Sequence, residues 1–208
     1  MENKNKVLLT VIGVATLLVA LVGATFAYFS ATDTSETVEV TTGAATISLS
    51  AANNSVKDIK PLVISSDSLK SSLSANASSG TEFSDTIKND IVKMTLNVTG
   101  SSDVAGSYDI VMSEPTITIG SEANQGSVSD IKYSVYDSTG KEIKTGSFTG
   151  VANENGTVIV DNTTFDGTND INDTYYVYVY VNNTDSEQNN LQNVNFKLTF
   201  AANASTAA

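Results

Sequence analysis

Seven consecutive residues, Tyr175-Tyr176-Val177-Tyr178-Val179-Tyr180-Val181, constrain the fold of this chain more than any other stretch. Aromatic and β-branched residues favour extended backbone. A side-chain period of two then sends Tyr175, Val177, Val179 and Val181 to one face and Tyr176, Tyr178 and Tyr180 to the other. A strand on the outside of a sheet carries one polar face, whereas both faces here are large and apolar-bodied. The segment reads as a central strand, with Val in a core and Tyr covering a second apolar layer, its hydroxyls reaching water. The alternative is that the Tyr face meets another subunit, because Tyr is enriched at interfaces. Freedom from charge and Pro also matches the cross-β pattern, so the strand is expected to be covered.

The rest of the chain supplies partners. Thr37–Val40 and Thr46–Ser50 alternate on either side of a Gly, and Val92, Met94, Leu96 and Val98 alternate with Lys93, Thr95 and Asn97. Tyr108–Met112 is expected to pair back across the turn between Gly100 and Gly106. Thr116–Ile119, Lys132–Tyr136, Glu142–Phe148, Thr157–Val160 and Val194–Phe200 bring the total to about nine strands. Turn chemistry separates them at Asp137-Ser138-Thr139-Gly140, Asn155-Gly156 and Asp166-Gly167. Residues 51–90 differ: Ser66–Leu73 has a Ser cap and a Leu69/Leu73 pair at helical spacing, followed by an expected loop from Ser74 to Gly80. The fold class is therefore all-β, an antiparallel β-sandwich of jelly-roll or immunoglobulin-like kind with a partly helical insertion near residues 51–90.

Composition narrows the function. The 208 residues include 11 Lys, no Arg, 23 Asp plus Glu, and no His, Cys or Trp. Cys/His zinc sites, Ser-His-Asp triads, thiol nucleophiles and disulfides are thereby excluded. Nucleic acid is excluded as a partner because phosphate neutralisation needs a basic face.

The N-terminus carries an export signal: a Lys-containing head over residues 1–6, an apolar run from Val7, and small residues ending at Ala27 before Tyr28. Cleavage at Ala27/Tyr28 would remove a leader helix and leave 9 Lys against 22 acids, a net charge of −13. The competing reading is an uncleaved anchor over residues 7–29, since those 23 uncharged residues are long enough for a bilayer core of about 30 Å. The membrane is engaged only through this leader.

The stretch Val22-Gly23-Ala24-Thr25-Phe26-Ala27-Tyr28-Phe29-Ser30, followed by Glu36 to Ser50, resembles the start of the TasA/camelysin family. Leaders of that family are cut by a SipW-type signal peptidase after a Gly-x-Thr-aromatic-Ala block, here Gly23 to Ala27. An aromatic residue follows, here Tyr28-Phe29, and then a Gly-Thr-Leu-x-Leu strand, which Gly43 to Leu49 matches with one extra Ala. Ile131–Tyr136, Tyr175–Val181 and Asn190-Leu191-Gln192 before Phe196 resemble the family's last hairpins more loosely, and residues 51–90 have no counterpart. The resemblance implies a secreted subunit of a biofilm-matrix fibre, a head-to-tail homopolymer assembled by donor-strand exchange. The donor would lie in residues 28–40, anchored by Phe29, Val38 and Val40. A sandwich domain would span 41–200 and a short flexible tail 201–208. The family's reputation for metalloprotease activity meets a chain in which a His-Glu-x-x-His helix cannot exist. No enzyme activity is expected. The alternative class is a membrane-tethered or secreted monomeric binding module or adhesin.

One loop has the spacing of an oxygen-ligand calcium site, with Asn162, Asp166, Asp170 and Asp173 as candidate ligands around Gly167. Asn and Thr stand at its first positions and strands flank it, so an acidic turn is the competing reading. No other cofactor is expected. Eight Asn-x-Ser/Thr sequons are what 20 Asn and 52 Ser plus Thr deliver by composition, and no glycosylation is read from them.

Overall fold

In a computed structural model of the chain, the described residues are 36–42, 45–52, 55–59, 61–119, 127–148, 156–184, 188, 191 and 194–206. The leader, Tyr28 and Phe29 lie outside them. Strands β1 (Glu36–Thr42), β2 (Ala45–Ala52), β3 (Ser55–Ile59) and β4 (Pro61–Leu62) precede a helix, α1 (Ser66–Ser79). After it come β5 (Ile91–Ser102), β6 (Gly106–Thr118), β7 (Ile131–Asp137), β8 (Glu142–Ser147), β9 (Thr157–Phe165), β10 (Ile171–Asn182) and β11 (Val194–Thr206). The larger sheet runs β1-β2-β5-β10-β7-β8, with the two-residue β4 added in parallel beside the end of β10; the smaller runs β3-β11-β6-β9. All other pairings are antiparallel. This is the all-β antiparallel sandwich expected from the residue pattern.

The core lies between the sheets. Leu49, Met94, Leu96, Val98, Val135, Val177 and Val179 from one sheet meet Tyr108, Ile110, Leu198 and Phe200 from the other, all buried. Each such aliphatic side chain contributes about 1.5–3 kcal/mol. In a chain without Cys, burial and strand pairing carry the stability. β10 is the central strand, flanked by β5 and β7, as its two apolar faces required.

The second apolar layer is closed by α1. Leu69, Leu73 and Ala77 of the helix, with Leu62, Ile87 and Ile91, bury Tyr136, Tyr178 and Tyr180 on the outer face of the larger sheet. Ser65 caps the helix start, its hydroxyl accepting from Ser68 N, and Gly80 ends it at φ 69°. The expected loop from Ser74 is instead two further helical turns. Ser78 and Ser79 return their hydroxyls to the carbonyls of Ser74 and Ala75, while Leu73, Asn76 and Ala77 are buried. Tertiary contact overrides weak intrinsic propensity here.

Three further expectations are corrected. β5 and β6 do not form a hairpin: β5 is already paired on both sides by β2 and β10, so β6 crosses to the other sheet and pairs with β11 and β9. The bend is tight, with the Ser102 hydroxyl donating to Val104 O at 2.6 Å and Gly167, at φ 75°, lying directly against the Val104 backbone. Residues 201–206 are not a tail but the end of β11, paired from Ala201↔Val111 to Thr206↔Gly106. The insertion near 51–90 also contributes strands, since β3 joins the smaller sheet and β4 the larger.

Candidate functional site

Four strands end the two sheets: β1 and β8 on the larger, β3 and β9 on the smaller. Three of these edges are interrupted. β8 shifts register between Val135 and Tyr136 of its partner, β3 pairs across a break at Val194/Asn195, and β9 is bulged twice along β6. Within β9, Asn162 takes φ 47° and donates its N–H to Asp109 Oδ1 at 2.6 Å. The side of the sandwich between β8 and β9 is further closed by Lys144 Nζ, which donates to Val158 O. Bulges and an inward Lys are devices that blunt an edge.

β1 is different. Its seven residues pair with β2 without a shift, from Glu36↔Ala51 to Thr42↔Ala45, and no described strand pairs with its other side. Val38 is in register with Leu49 and Val40 with Ile47, both of which are buried. The C-terminal part of the expected donor segment thus pairs within its own chain. Tyr28 and Phe29 lie outside the described residues, as does the Ala27/Tyr28 junction.

The Tyr face is occupied by the chain's own helix. Tyr178 is 0% exposed and Tyr180 9%, while Tyr176 is half-buried beneath Lys93 Nζ, 4.1 Å from its ring centroid. Nor do the hydroxyls generally reach water. Tyr178 donates to Asn76 Oδ1 at 2.8 Å, Tyr136 to Glu142 Oε2 at 3.0 Å, and Tyr180 shares a hydrogen bond with Ser134. Burial pushes the Tyr178 and Tyr136 hydroxyls well above the ordinary tyrosine range. This face is the second apolar layer expected of a central strand, covered within the chain by α1.

Three of the four candidate calcium ligands, Asp166, Asp170 and Asp173, line one open cleft of about 510 Å³, and Asn162 is not among its lining residues. Asp166 folds back on its own turn, accepting from Thr168 N at 2.8 Å, Asn169 N at 3.1 Å and Asn169 Nδ2 at 2.8 Å. Those donors hold its carboxyl down to about 2. Asp173 points inward and accepts from Tyr108 Oη at 2.5 Å, and Asp170 is exposed. Asn162 sits on the β9 bulge. Among the described residues, no group of three or more His, Cys, Asp or Glu is placed to hold a metal ion.

The residue pattern missed one cluster. Tyr108 of β6 bonds both Asp173 and Tyr175 Oη, the latter at 2.7 Å, and so ties the two sheets together. The available signal was parity: Asp173 shares the inward phase of Tyr175 and Val177, so a carboxylate there needs a buried donor.

Together these features define an antiparallel β-sandwich with one regular sheet edge, β1, and a tyrosine layer covered by α1. The sequence matches the camelysin metallo-endopeptidase family over residues 2–208, and the chain belongs to that family, as the N-terminal motif implied. No curated protein matches it significantly. Membership supports a surface or secreted protein with a structural or matrix role. Among the described residues, no helix is long and apolar enough to cross a membrane.

Proposed function

We propose that the chain is a non-catalytic structural subunit of an extracellular biofilm fibre, exported by cleavage at Ala27/Tyr28 and assembled head-to-tail by strand donation. The observation that carries this reading is β1: the edge strand nearest the N-terminus, and the only one of the four described edges with unbroken register. Donated to a neighbour, β1 can form there the same unshifted ladder that it forms with its own β2, and alternate side chains fix its register. Such a contact does not close on itself, so it propagates as a filament. The donor is the segment from Tyr28 through Val40, with Phe29, Val38 and Val40 as anchors.

The test compares residues 28–208 with a chain starting at Glu36. Electron microscopy is expected to show filaments of the first and folded monomers of the second. Filaments that persist without residues 28–35 would overturn strand donation by that segment. Mass spectrometry of the native N-terminus is expected to find Tyr28; an intact leader on the cell would favour a tethered module.

A further inference from the structure

The outer face of the larger sheet has two halves. One lies beneath α1. The other carries a regular polar grid set by strand register: Ser50, Asn97 and Thr174 form one row across β2, β5 and β10, and Ser48, Thr99 and Asn172 form the next. Asn97, Thr99 and Asn172 are exposed, and Ser48, Ser50 and Thr174 half-buried. Thr174 Oγ1 donates to Asn97 Oδ1 at 3.1 Å, so the row partly orders itself. The grid runs into an open cleft of about 480 Å³ lined by Thr99, Gly100, Ser101, Asp170, Ile171 and Asn172.

No position in the grid is charged, although the chain carries a net charge of −12. Charges stand only at its margins: Lys93 toward α1, Asp170 in the cleft, and Glu39 of β1 in register with Ser48.

We propose that this face binds a neutral polysaccharide chain. Hydroxyl and carboxamide groups both donate and accept hydrogen bonds, as sugar hydroxyls do, and an ordered row presents them at fixed intervals. Neighbouring strands lie about 4.8 Å apart, close to the length of one pyranose unit. A glycan crossing the strands therefore meets one polar side chain per sugar. Charged polymers find no counter-charge here, and polyanions are repelled by the surrounding acidic surface. A second copy of the chain is a poorer fit, because protein interfaces need an apolar centre and this grid has none. Each contact is weak, so affinity comes from several acting along one polymer.

The experiment is a polysaccharide panel, with neutral, anionic and cationic members, probed with the full chain. The strongest neutral member is then used in affinity electrophoresis with Asn97→Ala/Asn172→Ala and Thr99→Glu. Expected are selective retardation of the unmodified protein by neutral polysaccharide, about tenfold weaker binding in the double variant, and loss of binding in Thr99→Glu. Melting midpoints of these exposed-site variants are expected to stay unchanged. Absence of neutral binding, preference for a charged polymer, or full affinity in both variants would overturn the proposal. Since the grid lies outside residues 28–35, loss of filaments and loss of glycan binding are separable results.

Discussion

Replacing Tyr178 by Phe tests whether α1 is fastened to the tyrosine layer by a specific bond. The ring stays, so no cavity opens, and only the hydroxyl that donates to Asn76 Oδ1 at 2.8 Å is lost. Tyr178 is 0% and Asn76 8% exposed. The Asn76 carboxamide cannot simply turn to water, because its Nδ2 donates to Thr81 O at 2.8 Å and anchors the helix exit. An unsatisfied buried acceptor costs about 1–3 kcal/mol. Asn76 stands near the rim of the layer, so about 1–2 kcal/mol is expected, or roughly 2–8 °C in melting midpoint for a chain of this size. Asn76→Ala is expected to cost more, since it strands the Tyr178 hydroxyl and breaks the Thr81 bond together. Urea and thermal unfolding of both variants and their double mutant give the coupling, expected at about 0.5–2 kcal/mol. A coupling of zero, or an unchanged Tyr178→Phe midpoint, would refute the docking of α1 through this pair.

Gly140→Ala is expected to cost about 2–3 kcal/mol in chemical denaturation, because Gly140 has φ +83° and an added Cβ would sit 2.6 Å from Ser74 O. Gly80→Ala, at φ +69° with nothing within 4 Å, should cost only the backbone penalty of about 1 kcal/mol. Alkaline titration should lower stability from about pH 10 upward. There the unfolded tyrosines lose protons that Tyr178 and Tyr136 keep, held mainly by burial, so the unfolded state binds fewer protons and stability falls with pH. Tyrosinate absorbance should accordingly rise in two phases, and a single phase near the ordinary value would contradict that burial. Calcium and chelator should leave the melting midpoint unchanged, because Asp166 and Asp173 are already committed to donors; a rise with calcium would reveal a site.

Period-two alternation made the sandwich legible. It located β10 and its two apolar faces because Val and Tyr leave no ambiguity of phase. Pairing was less legible, since alternation fixes faces but not neighbours: β5 and β6 read as a hairpin until β2 and β10 are seen to fill both edges of β5. The helix extent was hidden because Ser74–Ser79 is poor in apolar residues, and only contact with the tyrosine layer holds it helical. The second apolar layer on the Tyr face was legible, but not its cover, which comes from a segment about a hundred positions earlier in the chain (Asn76 to Tyr178). The Asp173 cluster was obscured by taking β10 to begin at Tyr175, which left a half-buried, inward-facing carboxylate looking like a loop ligand. At the candidate assembly edge, sequence alone supplied Val38 and Val40, while the contrast between one regular edge and three interrupted ones required the registers.

That contrast bears on how assembly could be controlled. If β1 leaves its own β2 to pair with a neighbour, it exchanges one seven-residue ladder for a similar one, so the net gain in hydrogen bonding is small. The balance then rests on what the exchange adds and opposes: the anchor at Phe29 favours it, and repulsion between cleaved copies bearing −13 each opposes it. Filament growth is therefore expected to accelerate as pH falls from neutrality toward the isoelectric value of about 4.2, because protonated carboxylates no longer repel. Added salt at neutral pH should act in the same direction, since a Debye length of about 10 Å at 0.1 M screens charges on apposed subunits. Light scattering of residues 28–208 across pH and ionic strength reads both effects. Growth that is independent of both would show that charge does not limit the strand exchange, and would place the barrier in freeing β1 from β2.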